Sequence, residues 1–212
     1  MRYYLIAGEA SGDLHGSNLV KGLRAEDPEA VLRCRGGELM QAAGAGLAAH
    51  YREGAVMGFA DVLGKAGRLL RGLRECKRDI LAWKPDVVIL IDYPGFNFRI
   101  AEWCHARGIR VFWYIAPKTW ASRAGRNRKL KAWVDRVFII FPFEEKYFTE
   151  QGVPFIYRGN PLVDAVDAHA YVRPMEGRYI ALLAGSRKGE ISRMMPVLMD
   201  TVDRLSSQPG WE

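Results

Sequence analysis

The chain of 212 residues is 49% apolar and 26% charged, a balance that excludes a disordered polymer and leaves room for one domain or one and a half. No stretch approaches the ~20 consecutive apolar residues needed to span a bilayer, and the apolar run in MRYYLIAGEASGD is too short for a secretory signal, so a cytoplasmic location is the default expectation. The formal charge of +7, from 31 Lys+Arg against 24 Asp+Glu, favours an anionic partner: a phosphate, a nucleic acid or an acidic membrane.

In chain order, RYYLIA (2–7) reads as a first strand and leads into IAGEASGDLHGSNLV (6–20). Gly8, Gly12 and Gly16 there match neither G-x-G-x-x-G nor G-x-x-x-x-G-K-[ST]. Glu9 and Asp13 would repel a phosphate, whereas carboxylates accept hydrogen bonds from sugar hydroxyls and one can take a proton. The plainer reading is helix capping, with Ser11 or Asp13 as the N-cap and Glu9 in a turn. VLRCR (31–35) is a second strand. In residues 57–81, Leu69, Leu73, Cys76 and Ile80 recur at helical spacing and predict a core-facing stripe. Ahead of them Met57, Phe59, Val62 and Leu63 cluster with Lys65, Arg68 and Arg71 close behind. That combination is either buried or laid on an anionic membrane surface.

DVVILID (86–92) is the most apolar strand, and Asp92 stands at its carboxyl end, where an α/β enzyme would place a general base. An Asx-turn at the strand exit is the alternative. Asn97 is predicted as N-cap of a helix that runs through Arg107. RVFWYI (110–115) is followed by the densest basic segment, residues 117–136, in which Trp120 and Arg123 lie nearest the strand end and are the contact candidates. RVFIIF (136–141) and FIY (155–157) complete six strands.

This βαβα rhythm predicts a parallel sheet with helices on both sides, a Rossmann-like domain over residues 1–158. Residues 159–177 read as a connector, and 178–212 as the first strand and helix of a second α/β domain that is cut short. In LLAGSRKGEI, Gly185, Ser186 and Arg187 suit a diphosphate at a helix N-terminus. Cys34, Cys76 and Cys104 form no C-x-x-C pair and are expected to be buried thiols. The four histidines lack metal-ligand spacing, so no metal or cofactor site is predicted.

AGEASGD, AVMGFADVLG, KPDVVILIDYPGFN, YIAPKTWASR, PFE, GNPLVD and LLAGSRKGEI together resemble the lipid-A-disaccharide synthase family, in that family's order and over nearly the whole chain. The resemblance implies a GT-B fold, two Rossmann-like domains facing a cleft, of which this chain would supply the first and the start of the second. It implies an inverting glycosyl transfer from UDP-2,3-diacylglucosamine to 2,3-diacylglucosamine 1-phosphate (lipid X), giving the β-1,6-linked lipid A disaccharide 1-phosphate and UDP without a metal. Asp92 would be the base and Arg187, with Gly185 and Ser186, would hold the leaving diphosphate. Glu9, Ser11, Asp13, Asn97, Trp120 and Arg123 would face the acceptor. Met57, Phe59, Val62, Leu63, Lys65, Arg68, Leu69, Leu70 and Arg71 match the family's membrane-contacting patch, which implies a peripheral place on the cytoplasmic face of the inner membrane, with a homo-oligomer admitted. Gly95 stands where some members carry a second acid, and Ala116, Lys118 and Ser122 also depart from some members. Little turnover is expected of these 212 residues alone. The competing readings are another UDP-sugar enzyme of the same fold and a non-catalytic lipid-surface module. A nucleic-acid protein would explain the charge but not Glu9, Asp13 and Asp92.

Overall fold

The computed structural model describes residues 1–54, 62–172, 179–185 and 188–207, with backbone alone for Gly54 and 62–66. The chain divides into two compact units, Met1–Ala168 and His169–Glu212.

The first unit is built on seven parallel strands: β1 (Arg2–Ala7), β2 (Val31–Gly36), β3 (Gly46–His50), β4 (Val87–Ile91), β5 (Arg110–Tyr114), β6 (Arg136–Ile139) and β7 (Ile156–Tyr157). Their order across the sheet is β3-β2-β1-β4-β5-β6-β7. The helices are α1 (Ala10–Glu26), α2 (Glu38–Ala42), the single turn α3 (Tyr51–Gly54), α4 (Val62–Trp83), α5 (Pro94–His105), α6 (Asn127–Trp133), α7 (Pro142–Glu150) and α8 (Pro161–Asp167). Parallel strands need crossovers, and the long amphipathic segments between the apolar runs provide them.

Alternation along each strand sorts the core into two layers. Tyr4, Ile6, Val88, Leu90, Val111 and Trp113 point to one face, where Leu73, Cys76 and Ile80 of α4, Ile100 and Cys104 of α5, Leu130 of α6 and Phe148 of α7 cover them. Leu5, Ala7, Leu32, Cys34, Ile89 and Ile91 point to the other, against Val20 of α1 and Met40 of α2. All five residues of β4 are buried, as a strand covered on both sides requires. The predicted stripe Leu73-Cys76-Ile80 does face the core, and Leu69 packs at its margin. The three cysteines are buried thiols, and burial pushes each pKa up to about 12.

Three expectations change. The strand β3 was not predicted, because GLAAH has no β-branched residue and no Phe, Tyr or Trp, and alanine favours a helix; its ladder to β2 forms it as the sheet's edge. Residues 179–185 form no strand, and Tyr179, Ile180 and Leu183 stay exposed there. A parallel strand takes its hydrogen bonds from a neighbour, and the described residues of His169–Glu212 include no other strand. The helix expected after them is present as α9 (Lys188–Ser206), continuous through Pro196. Finally, Asn97 lies inside α5, whose cap is Tyr93.

Candidate functional site

The strand order reverses between β1 and β4. The chain builds outward from β1 through β2 to β3, then returns to place β4 on the other side of β1. Ala7 pairs with Ile91 at the carboxyl ends of these two strands, and the helices that follow, α1 and α5, lie on opposite faces of the sheet. A crevice therefore opens between the segments at 8–9 and 92–93, where doubly wound folds bind ligands.

The backbone at this point is strained. Asp92 (φ 43°) and Tyr93 (φ 46°) are two consecutive non-glycine residues in the left-handed region. Aspartate tolerates that region, but a bulky tyrosine is disfavoured, and such strain persists only where the surroundings impose it. Here Asn97 imposes it. Its fully buried amide donates to the carbonyls of Ile91 (3.3 Å) and Asp92 (2.8 Å) and ties the strand exit to the first turn of α5. Tyr93 then stacks on Phe96, with centroids 5.4 Å apart, and lies over Gly8, where a Cβ would overlap its ring. Gly12 is close-packed against Ala7, and Gly16 against Met40. The four-residue glycine spacing thus serves close packing of α1 rather than a phosphate cradle.

The three polar residues of the opening motif have different tasks. Glu9 is the backbone N-cap of α1, and Ser11 Oγ donates to its carboxylate at 2.8 Å. Asp13 is 2% exposed and accepts from the backbone amides of Gly37 (2.7 Å), Leu39 and Met40 (both 3.1 Å). Its carboxylate satisfies the orphan amides at the start of α2, so Asp13 is a cap, but of the next helix rather than its own. Glu9 and half-buried Asp92 are the acids at the crevice.

Beside them is a cavity of about 360 Å³. Ile6, Gly8, Leu69, Tyr93 and Phe96 give it apolar walls, and Arg35, His50 and Arg68 add cationic or polar groups. His50 accepts at Nδ1 from the Arg52 amide (3.0 Å) and sets Nε2 3.0 Å from Glu38. Arg35, Tyr93 and Phe96 were missed by sequence reasoning. Arg35 alone had a readable signal, as a cation at the carboxyl end of a strand.

Farther along the edge, a second cavity of about 360 Å³ lies over β5 and β6, lined by Tyr114, Arg158, Asn160 and Asp164. Burial, with Asp164's charge adding to it, raises the Tyr114 pKa. Trp120 is 40% exposed, donates from Nε1 to Glu144 (3.0 Å) and packs edge-on to Phe143. Arg123 is exposed with φ 60°. These two follow β5, one strand over from Asp92. Of the proposed membrane residues, Met57 and Phe59 lie outside the described residues, as do the side chains of Val62, Leu63 and Lys65. Arg68, Leu70 and Arg71 are exposed on α4, and Leu69 is half-buried. Gly185 has φ 96°, while Ser186 and Arg187 lie outside the described residues. Among the described residues no helix is long and apolar enough to cross a membrane, and no acid, histidine and cysteine cluster could hold a metal.

A doubly wound parallel sheet with a crevice at its reversal point is a Rossmann-like fold. Solved structures with this fold include UDP-GlcNAc 2-epimerase from Neisseria meningitidis (TM-score 0.58, 10% identity, 98% of this chain and 53% of that one) and the glycotransferase of kitacinnamycin (0.53, 12%, 98% and 63%). The sequence pattern of the lipid-A-disaccharide synthetase family matches residues 3–210, and the chain belongs to that family. It is 39% identical to lipid-A-disaccharide synthase of Geobacter metallireducens and 40% identical to that of Myxococcus xanthus, in each case over 99% of this chain. The chain spans 57% of the length of those relatives.

Proposed function

We propose that this chain carries the acceptor side of an inverting glycosyl transfer that joins UDP-2,3-diacylglucosamine to 2,3-diacylglucosamine 1-phosphate. The observation that supports it is Asp92, held in a left-handed backbone at the β4 exit, across from Glu9 and next to an apolar cavity with cationic walls. Asp92 takes the proton of the acceptor's 6-hydroxyl as that oxygen bonds to the donor's anomeric carbon. The bond from that carbon to the diphosphate breaks in line on the opposite side, and UDP leaves with the electron pair. Glu9 and Ser11 hydrogen-bond the acceptor sugar, and Asn97 and Asp13 hold the frame. Trp120 and Arg123 border the same edge.

Residues 1–158 form the acceptor-side domain, 159–177 the connector, and 178–212 the start of the UDP-binding domain, with Gly185, Ser186 and Arg187 at the diphosphate. The 57–71 segment rests on an anionic membrane on the cytoplasmic side. Leu70, 51% exposed among exposed Arg68, Arg71 and Arg74, supports that reading. A lipid acceptor and an apolar cavity beside the same helix fit one another.

The decisive substitution is Asp92→Asn in the full-length protein. It keeps the shape of the strand exit and removes the base, so kcat should fall about 10²–10⁴-fold while acceptor binding is retained. An unchanged kcat would remove Asp92 from the mechanism.

A further inference from the structure

The cavity beside the β1 and β4 ends contains a charge that the fold does not use. Arg35, the penultimate residue of β2, is half-buried and lines that cavity. Among the described residues its guanidinium has no hydrogen-bonded or ion-paired acceptor. Asp79, whose carboxyl feels the Arg35 charge, is already held by Arg33 through two bonds (2.8 and 2.9 Å) and by the Tyr4 hydroxyl (2.6 Å). Glu53 and Glu75 border Arg35 on its outer side without pairing to it. On the neighbouring strand β3, one residue beyond Arg35's register partner, His50 Nε2 lies 3.0 Å from Glu38. Inside the cavity, burial raises the Tyr93 pKa and the Arg35 charge opposes that rise, so the guanidinium's field reaches the ring at the crevice.

A partly desolvated guanidinium without a counter-ion is unfavourable unless something supplies the anion. Its planar fork matches a phosphate or a carboxylate bidentately, and the acceptor read above carries a phosphate. Arg68 adds a second cation to the same cavity, and Leu69, Tyr93 and Phe96 provide a wall for an apolar chain.

We infer that this cavity seats the phosphate-bearing end of an anionic amphiphile, with the phosphate on Arg35 and the adjoining apolar part against Leu69, Tyr93 and Phe96. The inference rests on the acceptor reading above and identifies the group of the acceptor that is read, its 1-phosphate. The same phosphate chemistry is offered by the donor's diphosphate, and the test separates the two.

The 212-residue chain is titrated with 2,3-diacylglucosamine 1-phosphate, with the dephosphorylated lipid and with UDP. The unaltered chain should bind the phosphorylated lipid more tightly than its dephosphorylated form. Arg35→Gln should weaken the phosphorylated ligand about tenfold or more and leave the other unchanged. In a second measurement on unaltered protein, phenylglyoxal should label Arg35, and only the phosphorylated lipid should protect it; this arm is independent of how well the variant folds. Equal weakening of both lipids by Arg35→Gln, no weakening of either, or Arg35-dependent binding of UDP would each overturn the assignment. If the unaltered chain binds neither lipid, the acceptor reading falls and the inference with it. If it binds both lipids without regard to Arg35, only the phosphate assignment is lost.

Discussion

Two stretches of one sheet edge are built on different terms. At the β1/β4 end, two non-glycine residues sit in left-handed backbone, an aromatic ring closes over a glycine, and an arginine in the cavity has no partner among the described residues. At the β5–β7 end Ile115 (φ 65°) and Arg123 (φ 60°) are also left-handed, but Glu144 and Asn160 serve as caps. Glu144 Oε2 accepts from the amides of Ile140 (3.1 Å) and Phe141 (3.0 Å), its other oxygen takes the Trp120 indole, and Asn160 caps α8. Both ends have a cavity of about 360 Å³, so volume does not distinguish them. The difference lies in charge: left-handed non-glycine backbone occurs at both ends, whereas the half-buried guanidinium without a partner among the described residues stands at the reversal point. Proteins tolerate such local violations where function uses them.

The comparison is tested most severely at Asp13, an acid of the first end whose contacts resemble those of the second. Asp13→Ala removes three hydrogen bonds that backbone amides donate to one buried carboxylate and orphans the start of α2. A stability loss of about 3 kcal/mol is expected, read as a lower denaturation midpoint with an unchanged slope. Acceptor affinity per folded molecule should stay within a few-fold. A selective loss of acceptor affinity at unchanged stability would make Asp13 a ligand group and erase its difference from Glu9.

Gly8 sharpens the other side of the contrast. Gly8→Ala would drive a methyl into the Tyr93 ring, an overpacking that costs about 1–3 kcal/mol and shifts the strained exit with it. In the full-length enzyme kcat should drop along with stability, because Asp92 is the neighbour of Tyr93. Tyr93→Ser in the same chain should relieve much of the stability loss without restoring kcat. Additive stability effects in that double-mutant cycle would show that ring and glycine do not press on one another.

How much of this was legible follows from what each feature depends on. The apolar runs that became β1, β4, β5 and β6 carry their own signal, and Asp92 was singled out because strand ends are where ligands bind. By contrast, β3 depends on the ladder offered by β2, and residues 179–185 show the converse, an apolar run without a pairing strand among the described residues of its unit. Asp13 looked like a cap for α1 because capping is sought locally, whereas the amides it satisfies lie 24 to 27 residues away. Arg35 had a signal in its place at the carboxyl end of a strand, but the sequence does not separate it from Arg33, two residues earlier; only the structure shows Arg33, and not Arg35, holding Asp79. Likewise Asn97 was placed at the helix start by residue type, and only the backbone reveals that it holds two carbonyls of the strand before it.

The smallest effect is expected at the β5–β7 end. Asn160 Oδ1 accepts from the Leu162 amide at 3.0 Å, and Pro161 follows as the first residue of α8, an arrangement that needs no ligand to explain it. Asn160→Ala should therefore cost about 1 kcal/mol, a fall of roughly 3 °C in the melting temperature of a unit this size. Asn160→Asp, which keeps an acceptor oxygen and adds charge at a helix N-terminus, should recover that loss. Neither change should alter affinity for the phosphorylated lipid, because Asn160 lines the other cavity. If Asn160→Ala instead weakened that lipid as much as Arg35→Gln while the melting temperature held, the ligand would extend across the whole edge, and the division between an end that carries a charge unpartnered among the described residues and an end of capping groups would fail.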